Sequence, residues 1–313
     1  MNINRWHENG NPEKLSMARL LRGTLASAKT IAGIAILTFG TPAISSILNV
    51  TDPSFDDNGP GTYQYPTAPD FHPGAFDIQQ FQVFDDGTTI YFLLTLRNLD
   101  PTFGAPLGAQ LIDVYLHDPN AATTSTAAPF PSRNYTIAPA DAWSRLLEVQ
   151  GFAPGVYKDA QGNSLGTITT TVDAATRTVM FTVPAATLGH PGPGWDAVVT
   201  VTGQDGFSPD QARAFTPTPG LFTFGVCAPG GIAPICSVDP NTVPKVIDTI
   251  TPPGVSQAVE LDPTLGPVFL IGVSFPEGGT LGPPPGVAPE PSTLLLLGLG
   301  LFGLGAVRRY TPR

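Results

Sequence analysis

Proline and glycine punctuate this chain at a density that leaves little room for long helices, with 35 prolines and 34 glycines in 313 residues. Proline removes a backbone donor and blocks the helical turn before it, and glycine weakens any regular element that it interrupts. Between these breaks lie short apolar runs of period two. Ile78 to Val83 leads through Asp85-Asp86-Gly87-Thr88 into Ile90 to Leu96. An Asp-Gly turn between two such runs is a strong hairpin signal. In the second run Ile90, Phe92, Leu94 and Leu96 are expected to face a core, with Tyr91, Leu93 and Thr95 on the other side. The alternation returns in Ile168, Thr170 and Val172, and again in Val179, Phe181 and Val183. Leu111 to Leu116, Ala197 to Thr202 and Val268 to Val273 read as further strands. Only Ala140 to Gln150 reads as a helix, with Asp141 as its N-cap. Repeated short strands with Gly/Pro turns predict an all-β fold, an antiparallel β-sandwich.

The two ends follow other rules. Arg19, Arg22 and Lys29 precede an apolar stretch from Thr30 to Phe39, and the small residues Thr41 and Ala43 follow. That layout predicts a secretory signal peptide over residues 1–43. At the other end, Pro289-Glu290-Pro291 is followed by an apolar run from Leu294 to Val307 and then by Arg308 and Arg309. The run is shorter than the ~20 residues that span a bilayer comfortably, and the arginines would hold its end on the cytoplasmic side. Motif, apolar helix and basic pair, in that order, resemble the PEP-CTERM sorting tail of Gram-negative bacteria, which exosortase-type membrane enzymes recognise. The resemblance implies an exosortase-type partner and export to the cell envelope or extracellular matrix. It also implies membrane anchoring through the C-terminal helix, at least transiently. Hydrophobic helices are thus expected at both termini. They bracket a domain over 44–275, a Pro/Gly linker over 276–288 and a tail over 289–313.

Charge narrows the partners. The formal net charge is −10 and only 13% of residues are charged, which argues against nucleic acid, because phosphate binding needs a basic patch. Cys227 and Cys236 lie close together in a Gly/Pro-rich stretch, which in an exported chain favours a local disulfide. Two thiols with no nearby histidine fall short of the four ligands of a structural zinc site.

Several separated motifs carry a second resemblance. Asp52-Pro53-Ser54-Phe55-Asp56-Asp57-Asn58-Gly59-Pro60-Gly61-Thr62-Tyr63-Gln64-Tyr65-Pro66 opens the domain, and Pro73-Gly74-Ala75-Phe76-Asp77-Ile78 follows. Further on come Gln110 to His117, Val201 to Phe207, Lys245-Val246-Ile247-Asp248, and Ser256-Gln257. Taken together over most of Val50 to Gly272, they resemble the C-terminal module of glucodextranase and related exported amylolytic enzymes. That module is grouped with DOMON-like and family 9 carbohydrate-binding sandwiches. The resemblance implies a β-sandwich at the cell surface that binds carbohydrate or anchors its protein, with catalysis housed elsewhere in those enzymes. Phe55 stands where the family usually has Gly, and Phe222 to Ser237 looks peculiar to this chain.

Candidate sites follow from chemistry. Asp52, Asp56 and Asp57 place three carboxylates beside a Gly-rich turn, a donor set suited to structural calcium, which takes six to eight oxygens. The alternative is that they only cap turns. A glycan needs flat apolar faces and a few polar partners. Tyr63, Tyr65, Trp143 and Trp195 are the candidate platforms, with Gln110, Asp113, Gln204 and Asp205 as hydrogen-bonding partners. Alternation along Leu111 to His117 sets Asp113, Tyr115 and His117 on one face, a polar-aromatic surface that could line a glycan groove. Against this stands the ordinary role of such rings as core packing. No nucleophile elbow, Cys-His arrangement or phosphate loop occurs, and the carboxylates Glu148 and Glu260 carry no spacing that sets them across a cleft. A haem reading would need Met180 with His72, His117 or His190 as axial ligands. The sequence therefore predicts a non-catalytic, surface-anchored module that binds exopolysaccharide or an α-glucan. A structural or adhesive matrix protein without a defined small ligand is the alternative.

Overall fold

The Asp-Gly hairpin forms as the sequence predicts. The computed structural model describes residues 45–227, 236 and 238–277, and its first strands are β1 (Ser45–Thr51), β2 (Ile78–Asp85) and β3 (Thr89–Leu96). Gly87 takes φ 86° in the β2–β3 turn, a conformation glycine adopts without a Cβ penalty. Asp86 accepts from the Thr88 hydroxyl and from the amides of Thr88 and Thr89. These bonds, the Thr88 hydroxyl foremost, hold its carboxyl down to about 2.

Next come β4 (Gln110–His117), β5 (Thr136–Ile137), β6 (Arg145–Gln150) and β7 (Gly155–Asp159). The strands β8 (Ser164–Asp173), β9 (Thr178–Pro184) and β10 (Asp196–Gly203) follow. Short strands close the list: β11 (Phe215–Thr216), β12 (Phe224–Gly225), β13 (Asp248–Thr249), β14 (Phe269–Leu270) and β15 (Val273–Ser274). The helices α1 (Ala185–Leu188) and α2 (Gln257–Glu260) are single turns.

One curled antiparallel sheet runs in the order β1-β2-β3-β9-β8-β7-β6-β4-β10-β13, and β15 also pairs with β10. β8 belongs to both halves. Its Ser164 to Ile168 part pairs with β7, and Thr169 to Asp173 pair with β9. The sheet thereby folds over itself into a sandwich around a shared core. Phe81, Phe92 and Phe181 from one half enclose that core with Val114, Leu147 and Val199 from the other. The Phe92 and Phe181 rings stack 5.3 Å apart and 8° from parallel.

In the first half β3 and β9 follow the period-two expectation. Ile90, Phe92, Leu94 and Leu96 are fully buried, while the residues between them are half-buried. The second half departs from it, because both of its faces are covered. Tyr115, Trp143, Leu146 and Val198 form a second apolar cluster with Tyr135, Ile137, Val246, Leu261, Val268 and Leu270. This cover overturns two expectations. Ala140 to Gln150 is not a helix: after a short 3-10 turn at Pro139–Asp141, Arg145–Gln150 forms β6, pairing with β4 and β7. This strand is buried on both faces, Glu148 and Gln150 included, so its residues show no period-two alternation to set it apart from a helix. Val268 to Val273 is not one strand but two short ones, β14 on β5 and β15 on β10, interrupted at Gly272. Gly272 sits against Asp141 and Asp196, so there is little room for a side chain.

The expected terminal helices, the signal peptide, most of the linker and the sorting tail lie outside the described residues. Among the described residues no helix is long and apolar enough to cross a membrane. If the ring stack joins the two halves of the core, Phe92→Ala will lower unfolding stability by about 3–5 kcal/mol. Urea unfolding checks this, and a loss under about 1 kcal/mol would contradict a shared core at that ring.

Candidate metal centre

The loop between β1 and β2 carries the densest acidic chemistry in the fold. Asp52 leaves β1 with its amide bonded to Gln79 O (3.1 Å). Phe55 then adopts φ 72°, a left-handed conformation that costs a residue with a Cβ and accounts for the expectation of glycine here. Two contacts hold it: its amide donates to Asp77 Oδ2 (2.8 Å) and the Arg97 guanidinium lies 4.3 Å from its ring centroid. Gly59, at φ 60°, packs so closely on Tyr63 that a Cβ would overlap the ring.

The far end of the domain is stitched to this loop. Gly59 N donates to Ile247 O (2.8 Å). Gln257 in α2 donates to the carbonyls of Asp56 and Gly59 and accepts from Thr249 N. These bonds bring Asp248, fully buried at the start of β13, beside Asp52 and Asp56. One carboxylate oxygen from each of the three lies within 4.8 Å of the other two. Asp248 Oδ2 accepts from Ile78 N (2.6 Å) and Oδ1 from Thr249 N (2.9 Å). Asp52 Oδ2 and Asp56 Oδ1 are buried without any hydrogen-bond partner.

The expected trio is therefore changed by one member. Asp57 turns away to accept from the Tyr65 hydroxyl and lies 3.8 Å from Arg97, which also pairs with Asp77. Asp248 takes its place. Sequence spacing could not find it, although a lone acid after the apolar pair Val246-Ile247 was the signal of a buried carboxylate. Two unit charges at the 4.8 Å outer limit of that spacing repel by about 3.5 kcal/mol at an effective dielectric of ~20. Burial, reinforced by Asp56 and Asp77, pushes Asp52 up to about 8. Burial likewise raises Asp56 to about 6, and lifts Asp248 well above the carboxylate range with help from Asp52 and Asp56. Such a cluster holds either protons or a hard cation.

The glycan candidates are mostly packed inward. Trp143 is 3% exposed, donates from Nε1 to Ala127 O (2.9 Å) and packs edge-on against Tyr115. Trp195 is buried in the main core. Rings so enclosed offer no open face to a sugar. Tyr63 donates to Pro244 O (3.0 Å) and borders a pocket of about 210 Å³ with Thr62, Cys227 and Asp262. Half-buried Tyr65 packs on Phe76. The polar-aromatic face of β4 is a buried network: Tyr115 bonds Tyr135 (2.7 Å), and Asp113 pairs with Arg133. Arg133, itself fully buried, also reaches Glu148 and Asp210 O, and Lys158 and Lys245 complete the pairing. A buried charge must be compensated in this way, so this face is not a groove. Gln110 donates to Ala75 O, Gln204 donates to the carbonyls of Leu107 and Gly108, and Asp205 caps the turn at Phe207 and Ser208. Met180 lies in register with Leu93 and Thr171, whereas His117 registers with Asp196 in the other half of the sheet.

These amides instead fasten a loop cluster that sequence reasoning missed. Gly203 registers with Gln110 and Gln150 with Leu111, so the chain leaving β10 and β6 meets the chain entering β4. Phe207 is 86% exposed there and Phe152 is 52% exposed, with Gly206 against the Phe152 ring. Nearby, exposed Phe222 packs on Phe71 and Phe103, and Arg213 lies over both of those rings while donating to Phe222 O. Cys227 and Cys236 form a disulfide with Cα atoms 4.6 Å apart.

Residues 47–264 match the family model described as the C-terminal binding-module, SLH-like, of glucodextranase. Residues 287–309 match the PEP-CTERM protein-sorting motif. No curated protein matches the chain.

A separate acid also records burial. Glu260 Oε1 accepts from Ile271 N (2.6 Å) while Oε2 is buried without a partner. Burial, reinforced by Asp141, pushes its carboxyl from 4.5 up to about 7 against the pull of that amide. A raised carboxyl stabilises the fold fully below its unfolded value, and the contribution is lost as pH rises through about 7. Glu260→Gln, which keeps the acceptor for Ile271, will therefore flatten the fall in stability across that window and raise stability at pH ~8 relative to the parent. Thermal unfolding at several pH values measures both slopes; identical slopes would contradict the assignment.

Proposed function

This chain belongs to the family of the C-terminal, SLH-like binding module of glucodextranase, and from that premise we propose that it is a non-catalytic carbohydrate-binding module held at the cell surface. The PEP-CTERM motif implies export and association with the cell envelope. In this reading an exosortase-type enzyme processes the tail, and the apolar run before Arg308 and Arg309 holds the chain in the membrane at least transiently. The ligand is a polysaccharide, either the exopolysaccharide around the cell or an α-glucan.

The observation that carries the reading is the extent of the family match, which spans the described sandwich from β1 to beyond α2. Packing agrees with a non-catalytic role for Glu148, which is buried and paired with Arg133 and Lys158. Surface chemistry supports the contact. Pyranose rings present C–H faces to aromatic rings, and the exposed rings among the described residues are Phe55, Phe269 and the three of the loop cluster, Phe152, Phe207 and Phe222, rather than Trp143 and Trp195. Asp205, half-buried beside Phe207, supplies a polar neighbour. The same apolar rim also favours the adhesive reading, in which a sandwich end of Phe and Leu sticks without sugar specificity.

Depletion of the full-length chain on immobilised α-glucan and on exopolysaccharide separates the two. The module reading expects saturable, sugar-competed retention. It also expects the double variant Phe152→Ser/Phe207→Ser to lose ~10-fold in affinity, about 1.4 kcal/mol, with an unchanged melting temperature. Retention that no sugar competes would favour adhesion, and full retention by the double variant would remove the loop cluster from the contact.

A further inference from the structure

Five carboxylates meet where the opening loop touches the end of the domain, and they are not served alike. Asp77 and Asp57 share Arg97, and Asp57 also takes the Tyr65 hydroxyl. Asp52, Asp56 and Asp248 have no salt-bridge partner among the described residues. Asp248 is fully buried, and its two hydrogen bonds come from neutral amides. Such amides stabilise an ionised carboxylate, yet they do not cancel its charge against two neighbouring acids.

Turn capping does not explain the other two. An aspartate that caps a turn spends its oxygens on nearby amides, as Asp86 and Asp205 do elsewhere in this fold. Asp52 Oδ2 and Asp56 Oδ1 instead have less than 1 Å² of exposed surface each and accept from nothing. Buried oxygens without donors are costly, and here they sit in the cluster that already holds Asp248. A cation among the three satisfies these orphaned oxygens and the uncompensated charge together.

The donor set names the cation. All three ligands are hard oxygens with neither nitrogen nor sulfur in the set, which disfavours zinc and copper. Magnesium demands near-ideal octahedral geometry and keeps its waters, whereas calcium accepts mixed carboxylate, carbonyl and water shells in irregular loops.

We propose that Asp52, Asp56 and Asp248 bind one calcium ion, which clamps the loop after β1 onto β13. Two ligands lie on the opening loop and the third on a strand that pairs with β10. The ion therefore ties the two ends of the domain across the edge where Gln257 and Gly59 already bond them. The clamp is independent of the glycan reading, and its test uses no sugar.

The full-length chain, stripped with a chelator and exchanged into metal-free buffer, is titrated with calcium chloride and separately with magnesium chloride. Calorimetry is expected to show one calcium per chain, and the melting temperature to rise with calcium more than with equal magnesium. Asp56→Asn and Asp248→Asn are each expected to weaken calcium binding by more than ~10-fold, since even outer-shell changes cost that much at metal sites. The Asp248→Asn side chain keeps an acceptor for Ile78 N, so a fold defect there is separable. The clamp also fixes a sign that capping does not. In metal-free buffer Asp56→Asn relieves repulsion and melts at or above the parent, but in saturating calcium it melts below it. No calcium heat up to millimolar concentration, undiminished binding in the variants, or an equal loss of melting temperature with and without calcium would each overturn the proposal.

Discussion

β8 is the strand on which the architecture depends. Its first half bonds β7 and its second half bonds β9, so one strand carries the sheet from one layer into the other. A sheet that curls in this way turns both inner faces onto one apolar core, and the burial of that core is the main favourable term in the fold. In the first layer β3 and β9 keep an outer face less buried than the inner one and alternate accordingly. The strands of the second layer are covered again by the segments around Tyr135, Val246 and Val268. The fold therefore has a shared core and a second apolar layer, and its polar chemistry is pushed to the seams.

Two seams matter. In one, Arg133 brings a full charge into the second layer and is matched by Asp113, Glu148 and the Asp210 carbonyl. Charge closes there within the protein, with Lys158 and Lys245 completing the pairs, although Asp113 Oδ1 is buried without a hydrogen-bond partner. In the other, between the opening loop and β13, charge does not close: three acids converge with no basic partner among the described residues. The two seams differ in charge pairing, since each acid of the first has a basic partner. The unmatched acids of the second seam are the ligands of the proposed calcium clamp.

How much of this was legible in the sequence depends on distance along the chain. The alternation of β3 and β9 was readable because one face is open, and the Asp86-Gly87 turn declares itself within a few neighbouring residues. β6 was misread as a helix because cover on both faces erases the alternation. Trp143 and Tyr115 looked like sugar platforms because nothing local reveals that Tyr135, Ile137 and Leu270 close over them. Two of the three clustered acids sit within one loop and were found by spacing; Asp248 is brought to them only by tertiary pairing, and Asp57 is drawn off by Tyr65 and Arg97. The exposed phenylalanines of the loop cluster carry no local signature, since exposure of a ring is decided by what the rest of the chain fails to cover.

In the proposed function, polysaccharide meets the open aromatic loops at one end of the sandwich. Hydrogen exchange of the full-length chain with and without that polysaccharide tests the claim most directly, because it reports where contact occurs without altering a residue. The account predicts slower exchange at residues 151–154, 204–212 and 221–223, with the amides of β3 and β9 unchanged. Protection confined to other surfaces, or none at saturating polysaccharide, would contradict it.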